Sequence, residues 1–294
     1  MATNNIMLEV AAKTNTGMVR EANEDNFVVT RDCTQEVWIV PKESYVNSDA
    51  GTVLVVADGM GGLNAGEVAS KIAVDSMKEE LTKLRSTAIE DKNIKSLLTN
   101  AIINAHKKIA KTGKDDPETE GMGSTIVVAW INDDKAHIGW VGDSRCYVCR
   151  NGKLMQLSKD HSYVQSLIDK GELTREQAFL HPESNIIMQS LGDSDHAPKP
   201  DYIAFSLAND DVLVLCSDGL NSMVRDDVIE KIVDENKSLA DGTQMLIDEA
   251  NHEGGHDNIT VLMAKVINGA NNNLPVQKIT AETEISDSKI QRHP

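Results

Sequence analysis

Residues 53–62 read V-L-V-V-A-D-G-M-G-G. Five apolar residues in succession leave the strand no polar face, the pattern of an inner strand covered on both sides. The run ends on Asp58, whose carboxylate would cost several kcal/mol to bury unless a cation or hydrogen-bond donors offset it. Gly59 beside it lets the backbone turn and lets a ligand approach the main chain. The arrangement recurs three times, with Asp143 in W-V-G-D-S-R, Asp218 in V-L-V-L-C-S-D-G-L and Asp257 in G-G-H-D-N-I-T. Four aspartates with glycine adjacent or two residues away, at the edges of apolar runs, imply strands converging on one acidic pocket, suited to hard divalent cations.

Outward from this stretch, M-L-E-V-A-A-K-T, N-F-V-V-T and E-V-W-I-V read as strands that precede it. Two amphipathic helices follow. One runs from Ala65 with Val68, Ile72, Ala73, Met77 and Leu81 on one stripe; the other runs from Ile94 to Ile109. K-T-G-K-D-D-P-E-T-E-G is expected to break the second helix, after which S-T-I-V-V-A-W-I, K-A-H-I-G-W-V-G, S-R-C-Y-V-C-R and K-L-M-Q-L-S form an antiparallel meander. Short helices between Asp160 and Gly192 predict an inserted lobe beside the pocket. Strands return at D-Y-I-A-F-S-L and D-V-L-V-L-C-S-D, then helices from about Asp226 and Leu239, then the strand N-I-T-V-L-M-A-K-V-I. This order predicts a layered α+β domain with a stacked-sheet core. Residues 268–294, without periodicity, are expected to form a disordered tail.

The net charge of −17, from 46 acidic and 29 basic residues, excludes general nucleic-acid or anionic-membrane binding. An anionic substrate would need local cations to overcome that field. Neither a charged-then-apolar leader nor a run of 18 apolar residues occurs, which predicts a soluble cytoplasmic protein. Cys146 and Cys149, three apart in a strand, point to opposite faces and with Cys33 and Cys216 are expected to be reduced packing residues. His106, His137, His181, His196 and His252 lack ligand spacing and are expected at the surface or at helix caps. Trp38, Trp130 and Trp140 are expected to pack.

In G-M-V-R-E-A-N-E-D, residues 17–25, Arg20 brings a permanently charged planar fork that suits two phosphate oxygens, close to Glu24 and Asp25. D-G-M-G-G lacks the lysine and hydroxyl of a P-loop, and Asn64 stands where a dinucleotide loop has its third glycine. Asp58, Asp143, Asp218 and Asp257 offer only oxygen, with the Gly59 carbonyl as a further ligand, and this favours Mg²⁺ or Mn²⁺. Two such ions roughly 3.5 to 4 Å apart can hold a water and orient a phosphoryl group for in-line attack. The residues therefore point to metal-assisted phosphate hydrolysis.

R-E-A-N-E-D, V-A-D-G-M-G-G with G-E-V-A-S, G-S-T, V-G-D-S-R, K-D-H-S, S-D-G-L and G-G-H-D-N-I-T resemble, in order, the motifs of the metal-dependent protein phosphatases of type 2C in their bacterial form. The resemblance spans about residues 8–267. It implies a four-layer αββα sandwich of two antiparallel sheets flanked by helices, with a flap at about 160–192. It implies that Asp58 bridges two metals and the Gly59 carbonyl binds one. Asp218 and Asp257 would hold the first metal, Glu24 would serve the second through water, and Asp25 would lie one layer behind. Asp143 would join Asp218 in a third site, and Arg20 would bind the substrate phosphate. The implied activity is Mg²⁺- or Mn²⁺-dependent hydrolysis of phosphoserine and phosphothreonine in proteins by a water held between the metals, in a monomer opposing a serine/threonine kinase. The chain departs from the family at Met60, where eukaryotic members carry a histidine proposed as general acid; bacterial relatives often share this methionine, so metal-bound water is expected to protonate the leaving oxygen, with His161 a weaker candidate. It departs again at Leu63, where many bacterial relatives have histidine, and at Gln189, where many have arginine. A small-ester hydrolase and a non-catalytic phosphoprotein-binding scaffold are the rival readings; retention of the metal ligands weighs against the scaffold.

Overall fold

The computed structural model describes residues 6–30, 32–34, 45–46, 51–61, 65–84, 89–236 and 238–268. The expected strand E-V-W-I-V with Trp38, Leu63, and the tail from 269 onward lie outside those residues. The strands are β1 (Met7–Asn15), β2 (Asp25–Thr30), β3 (Tyr45–Val46), β4 (Thr52–Met60), β5 (Gly123–Ser124), β6 (Ile126–Asn132), β7 (Lys135–Val141), β8 (Arg145–Arg150), β9 (Lys153–Gln156), β10 (Asp201–Ser206), β11 (Val212–Cys216) and β12 (Ile259–Asn268). The helices are α1 (Ala65–Thr82), α2 (Asp91–Asp115), α3 (Tyr163–Asp169), α4 (Arg175–Phe179), α5 (Asp218–Asn221), α6 (Asp226–Glu235) and α7 (Leu239–His252).

Two antiparallel sheets form, in the orders β3-β1-β12-β11-β8-β9 and β10-β7-β6-β4-β2, with β5 paired to the end of β4. Period-two alternation explains the absence of a polar face in β4. Val53, Val55 and Ala57 pack against α1 and α2, while Leu54 and Val56 meet the other sheet. β11 and β12 repeat this on their own sheet: Leu213, Leu215, Leu262 and Ala264 point inward, and Val214, Cys216, Val261 and Met263 pack under α6 and α7. Three apolar cores thus fill the three spaces of a helix–sheet–sheet–helix stack, the expected four-layer sandwich.

The structure departs from the sequence expectations at two points. The helix α2 runs through K-T-G-K-D to Asp115 and stops only at Asp116, which precedes Pro117 and is restricted to extended backbone. The four strands expected as one meander are two hairpins in different sheets, since β6 pairs β7 while β8 pairs β9 and β11. The chain crosses between sheets at Gly142, whose φ of +105° suits glycine. All four cysteines are free and buried, with Cys146 in the inter-sheet core and Cys149 on the helix side of its sheet, as the three-residue spacing requires. Trp130 and Trp140 pack in the core.

Register gathers the motif ends. Asp25 and Asp58 are direct partners across β2 and β4. In the other sheet Cys216 faces both Arg145 and Val261. Asp143 before β8, Asp218 after β11 and Asp257 before β12 therefore emerge at one end of the sandwich. α3 and α4 lie in the segment between β9 and β10, where the inserted lobe was expected.

Leu54 has no exposed surface between the sheets. Leu54→Ala is expected to cost about 2–5 kcal/mol in urea unfolding, whereas Met245→Ala, at a side chain 47% exposed on α7, should stay within about 0.5 kcal/mol.

Candidate functional site

At this end the backbone of Asp58 is fixed first. Its amide donates to Thr125 Oγ1 at 3.1 Å, and its carbonyl accepts from the Thr125 amide at 2.8 Å and Ser124 Oγ at 3.0 Å. The next residue, Gly59, donates to the Glu24 carbonyl at 3.2 Å. A β-carbon there would lie 2.0 Å from the Gly66 carbonyl oxygen and 2.7 Å from that of Glu24, so only glycine admits the loop before β2 and the start of α1 together. The Glu24 carboxylate accepts from the Gly66 amide in the first turn of α1, a position that favours an anion. Burial still holds it above its ordinary pKa.

Asp25 is buried, and its Oδ2 accepts from Ser217 Oγ and Thr260 Oγ1, each at 2.7 Å. Ser217 precedes Asp218 and Thr260 follows Asp257, so this one carboxylate ties three motifs together. Asn258 does the same for the N-terminal loop: its amide nitrogen donates to the carbonyls of Thr16 and Ala22, both at 2.9 Å, and its side-chain oxygen accepts from the Glu24 amide at 2.7 Å. Asp143 is 5% exposed. It follows Gly142, which exchanges hydrogen bonds with His161: the Gly142 amide donates to His161 Nδ1 at 3.2 Å and the His161 amide donates to the Gly142 carbonyl at 2.9 Å.

Burial, with other carboxylates nearby, dominates the electrostatics. Asp25 is pushed up to about 8, chiefly by burial, against the donations from Ser217 and Thr260. Asp218 is pushed up to about 6 by burial and by Asp257. Asp58 rises well above the carboxylate range through burial and the charges of Asp25, Asp218, Asp143 and Asp257, and Asp143 rises through burial and Asp218. Asp58 and Asp218 are within hydrogen-bond reach of each other. The buried Oδ1 atoms of Asp25, Asp143 and Asp218 have no hydrogen-bond partner, at about 1–3 kcal/mol each. Orphaned hard oxygens under mutual repulsion are the donor set that a divalent oxygen-seeking cation satisfies, so the residues fit Mg²⁺ or Mn²⁺.

The structure thus brings Asp25, Asp58, Asp143, Asp218 and Asp257 into one electrostatic cluster, with Glu24 and Gly59 at its rim. Their ligand atoms are not drawn to a single point. Among the described residues, the three-residue set of possible metal-binding atoms within 4.8 Å of one another is Glu249, His252 and Glu253 at the end of α7. Arg20 Nη2 donates to Asp257 Oδ2 at 2.6 Å across the rim, while its Nε and Nη1 have no protein partner among the described residues. Gln189 is committed elsewhere, its Oε1 accepting from the Lys199 amide at 2.9 Å.

The histidine expectations need correction. His106 and His137 are buried, at 7% and 1% exposure: His106 Nδ1 accepts from the Gly192 amide at 3.1 Å, and His137 Nδ1 meets Tyr202 Oη at 2.7 Å. His161 stacks on Trp140 and reaches Asp201 through Nε2 at 3.3 Å, so both ring nitrogens are engaged, Nδ1 by the Gly142 amide and Nε2 by Asp201. Sequence reasoning also passed over Ser217, Asn258, Thr260, Thr125 and Arg145. Their signal was present, since each sits inside a quoted motif. Arg145 grips Asp160 through Nε at 2.9 Å and Nη2 at 2.7 Å, tying the Asp143 turn to the segment that leads into α3.

The protein phosphatase 2C family model matches residues 42–254. The serine/threonine phosphatase stp of Listeria welshimeri is 36% identical over 257 residues, covering 86% of this chain and 94% of the relative. The chain belongs to the protein phosphatase 2C family. It is a phosphatase of that type, and its fold is the family's. A serine/threonine phosphatase of S. agalactiae superposes with a TM-score of 0.77 at 33% identity, covering 88% of this chain and 99% of the other. The catalytic domain of the serine threonine protein phosphatase PstP, solved with two manganese ions, superposes at 0.73 and 30% identity, covering 90% and 100%. Like these protein phosphatase 2C structures, the chain stacks two sheets between helices. No helix among its described residues is long and apolar enough to cross a membrane.

Asp25 and Asp218 keep protons in the folded state, at about 8 and about 6, that an unfolded aspartate releases near 3.9. Their contribution to stability is therefore full below about pH 4 and is lost as pH rises through those two values. In chelator, the melting temperature is expected to fall between pH 5 and pH 8, and to fall less in Asp218→Asn. Mn²⁺ should restore the loss at pH 8 in the wild type.

Proposed function

We propose that the chain is a Mg²⁺- or Mn²⁺-dependent serine/threonine protein phosphatase acting on phosphorylated proteins. The observation that carries this reading is the cluster of Asp58, Asp143 and Asp218 carboxylates, raised by burial and mutual charge, with unpartnered oxygens on Asp143 and Asp218. Asp58 would lie between two cations, with the Gly59 carbonyl holding one of them, Asp218 and Asp257 holding the first, and Glu24 serving the second through water. Asp143 with Asp218 would serve a third. Two bound cations would supply charge neutralisation at the phosphoryl group and an acidified water for in-line attack.

The protein's own residues do the rest. Arg20 stands at the rim with Nη2 on Asp257 and Nε and Nη1 unpartnered, so its guanidinium keeps donors on both edges for phosphate oxygens. Asp25, held by Ser217 and Thr260, fixes the backbone from which Asp218 and Asp257 project. Asn258 clamps the loop that carries Arg20 and Glu24. The leaving serine or threonine oxygen would take its proton from water at the metal site, since Met60 carries none and His161 has both nitrogens engaged. The segment 160–192 would act as the flap beside the cleft. The domain would extend over 8–267 as a cytoplasmic monomer opposing a serine/threonine kinase.

A phosphothreonine peptide with Mn²⁺ tests the reading. Wild type should turn it over, and Asp218→Asn and Asp58→Asn should each lose at least about a hundredfold in kcat/KM, the scale of a disrupted metal site. Asp143→Ala should instead raise the Mn²⁺ concentration for half-maximal rate by about 10–100-fold. Metal-independent turnover, or equal losses from all three variants, would overturn the assigned roles.

A further inference from the structure

The C-terminal half of α2 reads H-K-K-I-A-K-T-G-K, residues 106–114. Lys107, Lys111 and Lys114 recur at helical spacing and share one exposed face. Together with His106 they line an open groove of about 280 Å³, whose lining also includes Asp193 and Ser194. Most other lysines of α1 and α2, and Lys83 just past the end of α1, have carboxylate partners: Lys71 and Lys78 pair with Asp75, Lys83 with Glu80, Lys92 with Glu90 and Lys108 with Glu79. Among the described residues, Lys107, Lys111 and Lys114 have none. A lysine in the last turn, such as Lys114, also offsets the helix dipole, but that effect fades within one turn and does not account for Lys107 or Lys111.

The floor of the groove makes it more than a solvated charged face. His106 is 93% buried, from its 7% exposure, and its Nδ1 accepts the Gly192 amide proton. The ring proton therefore sits on Nε2, which has no protein partner among the described residues and is left as a donor for whatever enters. Two acidic residues line the groove. Asp193 is engaged in its own turn by the amides of Asp195 and His196 at 2.8 and 3.1 Å, and Asp115 lies exposed at the end of α2.

The groove also belongs to the cleft end of the molecule. Gly59 pairs with Ser124, Ser124 pairs with Leu191, and the next residue, Gly192, reaches His106. Two interstrand steps of about 4.8 Å, one residue step of about 3.8 Å and one hydrogen bond put the His106 side of the groove within about 16 Å of the Gly59 strand end. An extended peptide at about 3.3 Å per residue spans this in about five residues.

We infer that this groove binds a second anionic residue of the phosphoprotein substrate, about five positions from the phosphorylated serine or threonine, and so selects acidic or multiply phosphorylated segments. The inference rests on the reading of the chain as a protein phosphatase. On a chain of net charge −17, such a site turns general repulsion of acidic substrates into local selection.

Three phosphothreonine peptides test it: one neutral around the phosphothreonine, one with glutamates about five residues away on either side, and one with a second phosphothreonine there. Wild type should favour both anionic peptides by about tenfold in kcat/KM, the sum of three exposed charge contacts. K107A/K111A/K114A should lose that preference and keep wild-type hydrolysis of p-nitrophenyl phosphate and the neutral peptide. K83A/K92A/K95A, which removes the same charge at sites remote from the groove, should keep the preference. An equal loss in both triple variants, or no preference in wild type, overturns the groove while leaving the phosphatase reading intact.

Discussion

Asp25 and Asp58 stand opposite each other on neighbouring antiparallel strands, two carboxylates set where an apolar core has just ended. Nothing in the hydrogen bonding of β2 and β4 requires acids at those positions, and burial with like charge nearby works against both. The surrounding structure is arranged to tolerate them. Ser217 and Thr260 donate to Asp25, Thr125 and Ser124 fix the Asp58 backbone, and Gly59 lets α1 begin against the Glu24 loop. Few protein cations are available to offset the cluster, because Arg20 reaches only Asp257 at the rim and Arg145 is taken up by Asp160. Such an end of a sandwich is stable without cations only by retaining protons, and with cations it can be fully ionised.

The same constraint explains the use of two sheets. One strand end can present one or two carboxylates before their repulsion exceeds what local donors offset. Drawing Asp25 and Asp58 from one sheet and Asp143, Asp218 and Asp257 from the turns of the other lets each motif be built on its own rigid strand. The inter-sheet core of Leu54, Val56, Leu213, Leu215 and Leu262 then fixes the distance between the two halves. Packing in that layer is thereby part of the site's geometry, since a shift of one sheet over the other would separate Asp58 from Asp218.

Much of this was legible in the sequence because period and composition report burial directly. The both-sided apolar runs of β4 and β11 declared inner strands, the stripes of α1 and α2 declared covering helices, and the spacing of Cys146 and Cys149 declared opposite faces. The aspartates were legible because a carboxylate after such a run has no packing rationale. Sheet membership was not. Two hairpins in one sheet and two hairpins in different sheets have the same local pattern, and only the φ of Gly142 and long-range pairing separate them. The end of α2 was misjudged because K-T-G-K-D has weak helix propensity on its own, yet it continues a helix already anchored by Ile102, Ala105 and Ile109. His106 and His137 looked like surface residues because a histidine's burial depends on a distant partner, Gly192 or Tyr202, that the local sequence does not name. Ser217, Asn258 and Thr260 were visible inside their motifs, but their importance comes from bonds spanning about 200 residues of chain.

The strongly acidic composition takes on a different meaning once charge is placed. Much of the lysine on α1 and α2 is neutralised in short-range pairs such as Lys71–Asp75 and Lys108–Glu79, which leaves the acidic excess as a diffuse field that is screened within about 10 Å at moderate salt. Beyond that distance the field acts as a general repulsion of anions. Inside it, the cations nearest the cleft decide the outcome: Arg20 at the rim, shared with Asp257, and the unpaired Lys107–Lys111–Lys114 face beside Gly192. A phosphorylated segment is therefore held only if it presents negative charge at positions matching those few cations. The acidic surface that appears to oppose an anionic substrate is the background against which local positive charge becomes selective.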